Sequence, residues 1–138
     1  MQSVDPTIAK WQANRREIGV LEFSPSDTAA KRFPYWLLPA SATFLGVVEC
    51  DALCLMEDGS LRLFDHEAAE RTLCMAAPGQ LSLISALSEL DAFFSRTVDN
   101  DALADDKTAN IEMREKYTEL LGGEQYATFA QMFFWHDS

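Results

Sequence analysis

The chain has 138 residues, of which 48% are hydrophobic, and its 22 acidic and 11 basic residues give a net charge of −11. This composition predicts a single folded domain over residues 1–138. The charge argues against nucleic acid and anionic membranes as partners, because both attract clusters of Lys and Arg. The sequence has no apolar run of about 20 residues, the length that spans a membrane. The first residues also lack the apolar segment of a secretory signal, so we expect a cytoplasmic protein.

The first third of the chain begins with a helix signal. Asp5 followed by Pro6 is typical of a helix N-terminus, and we expect the helix to continue to about Arg16. Residues 18–23 form an apolar run that predicts a strand or an extended segment. Residues 24–30 predict a brief helical turn, which ends before the Phe-Pro pair at 33–34 because the residue before proline avoids helical geometry.

The middle of the chain is rich in strand signals. Short apolar runs separated by turn residues predict four strands, at residues 42–49, 51–56, 60–65 and 71–76. The triplet Glu57-Asp58-Gly59 predicts a tight hairpin turn in which Gly59 takes a positive φ. In the flanking runs, Leu61 and Leu63 should face the opposite side of the sheet from Arg62 and Phe64.

The last third of the chain predicts helices. Apolar residues recur at helical spacing in three segments, and Gly122-Gly123 is typical of a helix end. These residues are Leu83, Leu87, Leu90 and Phe94; then Met113, Tyr117 and Leu120; then Tyr126, Phe129 or Ala130, and Phe133. The polar, acidic stretch at 99–107 predicts a loop and a helix start. The fold class is therefore α+β, with a central antiparallel sheet of about four to six strands flanked by helices and a helical C-terminal third.

The triplet Asp65-His66-Glu67 contains residue types found in metal sites, acid–base pairs and ordinary strand ends. On an extended chain His66 points away from its two neighbours, and the only other histidine is His136. No sequence motif marks a nucleophile or a phosphate-binding loop. We interpret the triplet as the end of a strand, and we expect a binding protein rather than an enzyme, with no catalytic residue, cofactor or metal.

The cysteines and the aromatic groups leave alternatives open. Cys50, Cys54 and Cys74 are interpreted as buried free thiols, with a metal or redox pair at Cys50 and Cys54 as the alternative. The aromatic stretch at 33–39 predicts core packing or a partner-facing edge. The tail at 133–135 predicts docking on the fold or an oligomer contact, and the oligomeric state stays open.

Short stretches of the middle of the chain resemble one family. They read YWLLPA at 35–40, FLG at 44–46, DALCL at 51–55, DGSL at 58–61 and DHE at 65–67, followed by SALSELDAFF at 85–94. In this order they resemble the SUKH superfamily over residues 33–96. The resemblance implies an α+β fold without catalytic residues. It also implies a bacterial immunity protein, which binds and blocks a cognate toxin domain delivered by contact-dependent or type VI-like secretion.

The acidic surplus predicts how such a protein would act. An acidic surface would meet a basic cleft on the toxin and occlude it stoichiometrically, with electrostatic steering of the encounter. The predicted contacts are Glu49, Asp51, Glu57, Asp58, Asp65 and Glu67 on the sheet side and Asp99, Asp101, Asp105 and Asp106 in the acidic loop. For paired acids such as Asp105 and Asp106, the residues themselves favour charge at a helix N-terminus, with partner contact as the alternative. Alternatives for the whole protein are a regulatory or scaffold domain, an oligomeric structural protein, and a small hydrolase that uses His66.

Overall fold

The computed structural model describes residues 3–27, 31, 38–65 and 71–134. In this part of the chain, six strands form one antiparallel sheet in which each strand pairs with the next in sequence. The strands are β1 (Glu17–Ile18), β2 (Leu21–Phe23), β3 (Thr43–Val48), β4 (Asp51–Leu55), β5 (Leu61–Phe64) and β6 (Thr72–Ala77). The helices are α1 (Pro6–Ala13), α2 (Gln80–Thr97), α3 (Asp101–Ala104), α4 (Lys107–Leu121) and α5 (Ala127–Gln131), with a 3-10 turn at Glu124–Tyr126. The predicted α+β class with a helical C-terminal third is confirmed.

Helix α1 starts where the sequence predicted and ends three residues early. The side chain of Asp5 accepts a hydrogen bond from the amide of Thr7 at 2.8 Å, as an N-cap does. The end of the helix is set by Arg15, which adopts φ 50°. The amide of Arg16 then donates to the carbonyl of Trp11 at 2.9 Å, a Schellman arrangement that stops the helix.

The predicted extended segment at 18–23 is two strands rather than one. Gly19 has φ +58° and turns the chain between β1 and β2. A side chain at Gly19 would also have no room, because its Cβ would lie 2.9 Å from the ring of Phe94 and 3.0 Å from that of Phe133. A left-handed turn and close aromatic packing therefore split a run that looked continuous in the sequence.

The hairpin between β4 and β5 is confirmed. Gly59 has φ 89°, and the amide of Met56 donates to the carbonyl of Ser60 at 2.9 Å. The carboxylate of Asp58 accepts hydrogen bonds from the amide of Ser60 at 2.9 Å and from its hydroxyl at 2.6 Å. These bonds lower the pKa of Asp58, with a smaller contribution from the charge of Arg62.

Strand β3 contains a bulge that ties it to α1 and β2. Its pairing with β4 shifts between Phe44 and Gly46. The side-chain amide of Gln12 donates to the carbonyls of Phe44 and Leu45, each at 3.2 Å, and so satisfies acceptors at the bulge. A Cβ at Gly46 would lie 2.6 Å from the carbonyl oxygen of Glu22, which explains the glycine in mid-strand.

The sheet is apolar on both faces. The inner face packs with the helices into the main core, and it presents Leu53, Leu55, Leu61 and Leu63. The outer face carries a second apolar cluster, which consists of Phe44, Val47, Ala52, Cys54 and Phe64 with Leu38, Ala42 and Met56 packed against it. The predicted division of Leu61 and Leu63 from Phe64 is confirmed, and β4 alternates in the same way.

Helices α2 and α4 bury the stripes that the sequence predicted, with a shift at one end of each. Leu83, Leu87 and Leu90 of α2 are all buried. The next buried residue of α2 is Phe93, whereas Phe94 is half-buried against Gly19. In α4, Met113 and Tyr117 are buried, and Leu121 takes the place predicted for Leu120 because a strict four-residue spacing continues along that face.

The aromatic tail docks on the fold as far as the structure describes it. Phe133 and Phe134 are buried, and the ring of Phe133 meets that of Tyr117 edge-on at 5.2 Å between centroids. The docking predicted for these two residues is confirmed, whereas Trp135 lies outside the described residues. Most of the aromatic stretch at 33–39 also lies outside them.

A buried hydroxyl in this core leads to a stability prediction. Tyr117 is fully buried, its hydroxyl has no hydrogen-bond partner among the described residues, and burial raises its pKa well above the ordinary value. We expect Tyr117→Phe to raise the free energy of unfolding by about 1 kcal/mol, since an unsatisfied buried polar group costs about 1–3 kcal/mol. Urea denaturation measures the change.

Tyr126→Phe is the control, since the Tyr126 hydroxyl is not orphaned in this way, and it should give no gain. An unchanged or lower midpoint for Tyr117→Phe would contradict the prediction.

Candidate partner-binding site

One end of the sheet carries turns that lie far apart in sequence. Glu49 and Cys50 form the two-residue turn between β3 and β4, and the amide of Glu49 donates to the carbonyl of Val20 in the β1–β2 turn at 3.3 Å. We call this the β3–β4 end. Strand β5 also finishes there, because Ala52 at the start of β4 pairs with Phe64 at the end of β5.

Three of the predicted contact residues lie at the β3–β4 end, with different exposures. Glu49 is exposed and Asp51 is half-buried. Asp65 is 6% exposed and forms an ion pair with Arg71, whose carbonyl also accepts a hydrogen bond from the Asp65 amide at 3.1 Å. Asp65 therefore serves the end of the strand, as the sequence interpretation held, and little of its surface is left for a partner. His66 and Glu67 lie outside the described residues.

Two other predicted contacts, Glu57 and Asp58, lie at the opposite end of the sheet. They form the β4–β5 turn, and we call this the hairpin end. The five residues of β4 separate the two ends by about 17 Å, at about 3.4 Å per residue. Both residues are exposed, but the five described acidic residues predicted on the sheet side do not form one continuous patch.

The acidic loop lies toward the β3–β4 end, beyond the end of α2. The contact of Phe94 with Gly19 places the last turns of α2 beside the β1–β2 turn, and the loop follows directly. Asp99, Asp101 and Asp105 are exposed. Asp106 is also exposed and caps α4, since its side chain accepts a hydrogen bond from the amide of Ala109 at 3.0 Å. The role at a helix N-terminus that the sequence favours is therefore confirmed for Asp106.

A cleft of about 410 Å³ opens at the β3–β4 end. Its described lining consists of Val48, Glu49, Asp51 and Met132. Val48 and Met132 are the apolar lining residues, and the carboxylates of Glu49 and Asp51 lie beside the β3–β4 turn. Sequence reasoning selected both acidic residues but missed Met132, which follows α5 and reaches the cleft only through the packing of the C-terminal helices on the sheet.

The backbone at Glu49 is unusual. Glu49 has φ 58°, a conformation that costs an L-residue about 1–2 kcal/mol and that glycine adopts freely. The two-residue hairpin geometry requires such a conformation at its first turn position. A glutamate therefore occupies a place where glycine would be more stable, and this exchange of stability for a carboxylate is typical of functional positions.

The cysteines differ from the sequence expectation at one position. Cys54 is buried and Cys74 is half-buried, whereas Cys50 is exposed at the tip of the β3–β4 turn, because a two-residue turn leaves its side chain no core to enter. Burial raises the pKa of Cys54 to about 12. Burial also raises the pKa of Cys74 to about 11, with a further contribution from the negative charge of Asp51. All three are free thiols.

No group of three or more His, Cys, Asp or Glu side chains in this part of the chain is arranged to hold a metal ion. Among the helices described, none combines the length and the apolar character needed to cross a membrane.

Comparison of the chain with protein-family models, with curated proteins and with solved structures finds no match. The resemblance to the SUKH superfamily rests on the quoted residues alone.

The strain at Glu49 predicts an unusual order of stabilities. Glu49→Gly and Glu49→Ala remove the same carboxylate, but only glycine relieves the left-handed backbone. We expect Glu49→Gly to be more stable than Glu49→Ala by about 1 kcal/mol in urea denaturation. Equal stabilities, or a more stable alanine variant, would show that the turn relaxes without strain.

The thiol environments predict selective labelling. Near pH 8 the thiolate fraction of Cys74 is about one in a thousand, and that of Cys54 is smaller still. Iodoacetamide should therefore modify only Cys50 in the folded protein, and reaction at Cys74 should appear as the pH rises toward 11. Intact-mass measurement gives the number of adducts, with Cys50→Ser as the control for position and protein in concentrated urea as the control for all three thiols. Labelling of Cys54 in the folded protein would contradict the described burial.

Proposed function

We propose that this protein is an immunity-type binding protein, which neutralises a toxin domain by covering a basic cleft on it. The observation that carries the proposal is the placement of two acidic groups, distant in sequence, at one end of the molecule. The acidic end, as we call this surface, consists of Glu49, Asp51, Asp99, Asp101, Asp105 and Asp106. Its chemistry fits a positively charged protein surface.

The ion pairs of the structure support a net negative surface. Three basic side chains form ion pairs within the described part of the chain: Arg16 pairs with Asp91, Arg71 with Asp65, and Lys116 with Glu89 at 3.2 Å. Each pair uses one cation and one anion, so the surplus of 11 acidic residues is carried by other side chains. A surplus of this kind accelerates encounter with a basic partner and repels other acidic proteins.

The proposed mode of action needs only binding. A partner that acts on nucleic acid or nucleotides has a basic cleft, and carboxylates at the acidic end would occupy the places of phosphate groups. The toxin would be blocked one to one, and release would be slow if apolar contacts add to the charges. The resemblance to the SUKH superfamily implies the same kind of function.

Paired charge reversals test the location of the contact surface. One variant combines Glu49→Lys with Asp101→Lys at the acidic end. The matched control combines Glu57→Lys with Glu124→Lys at the hairpin end. Glu124 lies at this end because the nearby Gly122 packs against Pro78, the residue that follows β6. Both variants change the net charge equally, so only position differs.

We expect the acidic-end variant to associate about tenfold more slowly with the product of the neighbouring gene at low salt, and the control to associate nearly as fast as the natural protein. Surface plasmon resonance measures the rates, and co-expression scored for growth gives the protective effect. A larger effect of the hairpin-end pair would move the contact to Glu57 and its surroundings. If the neighbouring product neither binds nor inhibits growth, the immunity function is wrong and a regulatory or scaffold role replaces it.

A further inference from the structure

We propose that the cleft lined by Val48, Glu49, Asp51 and Met132 receives one Arg or Lys side chain of the protein partner. This inference rests on the proposed function and names the anchor of that contact. The occupant is a side chain of a basic protein, because the cleft combines apolar walls with negative charge at its rim.

The size of the cleft fits part of a protein partner. Its volume of about 410 Å³ lies near the lower end of the range of about 300–1,000 Å³ found for ligand sites. One long side chain from a facing surface would enter such a space while its backbone stays outside.

The walls of the cleft fit the stem of a long cationic side chain. Val48 ends β3 and is packed in the main core, so the part of it that borders the cleft is held in place. Met132 is half-buried and unbranched, so its thioether adjusts to the shape of an occupant. Lys and Arg bury their methylene groups on apolar surface while the charged group stays at a polar rim.

The rim of the cleft supplies the charge that selects a cation. The exposed side chain of Glu49 has no ion-pair or hydrogen-bond partner within the described part of the chain. Asp51 pairs in register with Val48, directly across the turn, and adds a second negative charge beside the same opening. A guanidinium or ammonium group would form charge-assisted hydrogen bonds with the Glu49 carboxylate at this rim.

Other occupants fit less well. An anion or a second copy of this chain would meet carboxylates at the rim and an overall charge of −11. A neutral apolar group would leave the Glu49 carboxylate without a partner beside a covered surface, which costs free energy. A cationic side chain can place its methylene groups on the apolar walls and its charge beside the carboxylates at the rim.

A fragment titration tests the cleft without the partner. The probe is N-butylguanidinium, which reproduces the end of an arginine side chain, and the control is N-butylurea, a neutral molecule of similar shape. In NMR spectra of the full chain, we expect saturable shifts of the Val48, Glu49 and Asp51 amides and of the Met132 methyl group with N-butylguanidinium only. Glu49→Gln should weaken this binding about tenfold, which corresponds to about 1.4 kcal/mol. Glu57→Gln, at the hairpin end, should leave it unchanged.

The outcomes separate this inference from the proposed function. Equal shifts with N-butylurea, or no shifts at these four residues, would overturn the cation site. If the partner binds Glu49→Gln as tightly as the natural protein but binds an Asp101→Lys, Asp105→Lys variant more slowly, the acidic end stands and the cleft is not its anchor. If neither change affects a partner that binds, both the cleft and the acidic end are wrong.

Discussion

The packing of α2 on the inner face of the sheet determines where the C-terminal half of the molecule lies. Leu83, Leu87 and Leu90 form the stripe that joins this helix to the main core. Because a helix rises about 1.5 Å per residue, the 18 residues of α2 carry the chain from the end of β6 back past the β1–β2 turn. The acidic loop and the return of α5 toward the cleft both follow from this direction. A core contact between leucines thus decides where charged residues gather.

The acidic residues of the β3–β4 end and of the adjoining acidic loop illustrate how charge is divided between stability and binding. Asp65 is used within the fold, where it pairs with Arg71 at the end of β5. Asp106 caps a helix through its side chain and still lies on the surface. Glu49 has neither role, and its backbone conformation is costly for any residue other than glycine. Acidic residues in one region therefore differ in how much they stabilise the fold. Of the three, Glu49 is the one whose presence stability does not explain.

Local patterns in the sequence predicted much of the fold. The β4–β5 hairpin was predictable because Gly59 and its flanking alternation act within a few residues, and the stripe of α2 was predictable from helical spacing. The β1–β2 turn was not predicted because the need for glycine at position 19 comes from close packing with Phe94 and Phe133, which lie far along the chain.

Less of the candidate site could be predicted than of the fold. Acidic residues were selected from composition, and composition does not separate the hairpin end from the β3–β4 end. Met132 carries no signal of its own, since it reaches the cleft only after the C-terminal helices have packed. Cys50 was expected in the core because its neighbours are apolar, and the two-residue turn instead places it at the surface.

The apolar character of both faces of the sheet has a consequence for how the strands find their partners. In most antiparallel sheets a shift of the strand register by one residue would turn apolar side chains toward water, and that penalty determines the register. In β3 a slip would only exchange one apolar set for another, so hydrophobicity discriminates weakly there. Alignment must then come from steric features that occur at single positions, namely the short β3–β4 turn and the bare backbone of Gly46 against Glu22. In such a fold, a few positions of close steric contact must disfavour the misaligned strand pairings.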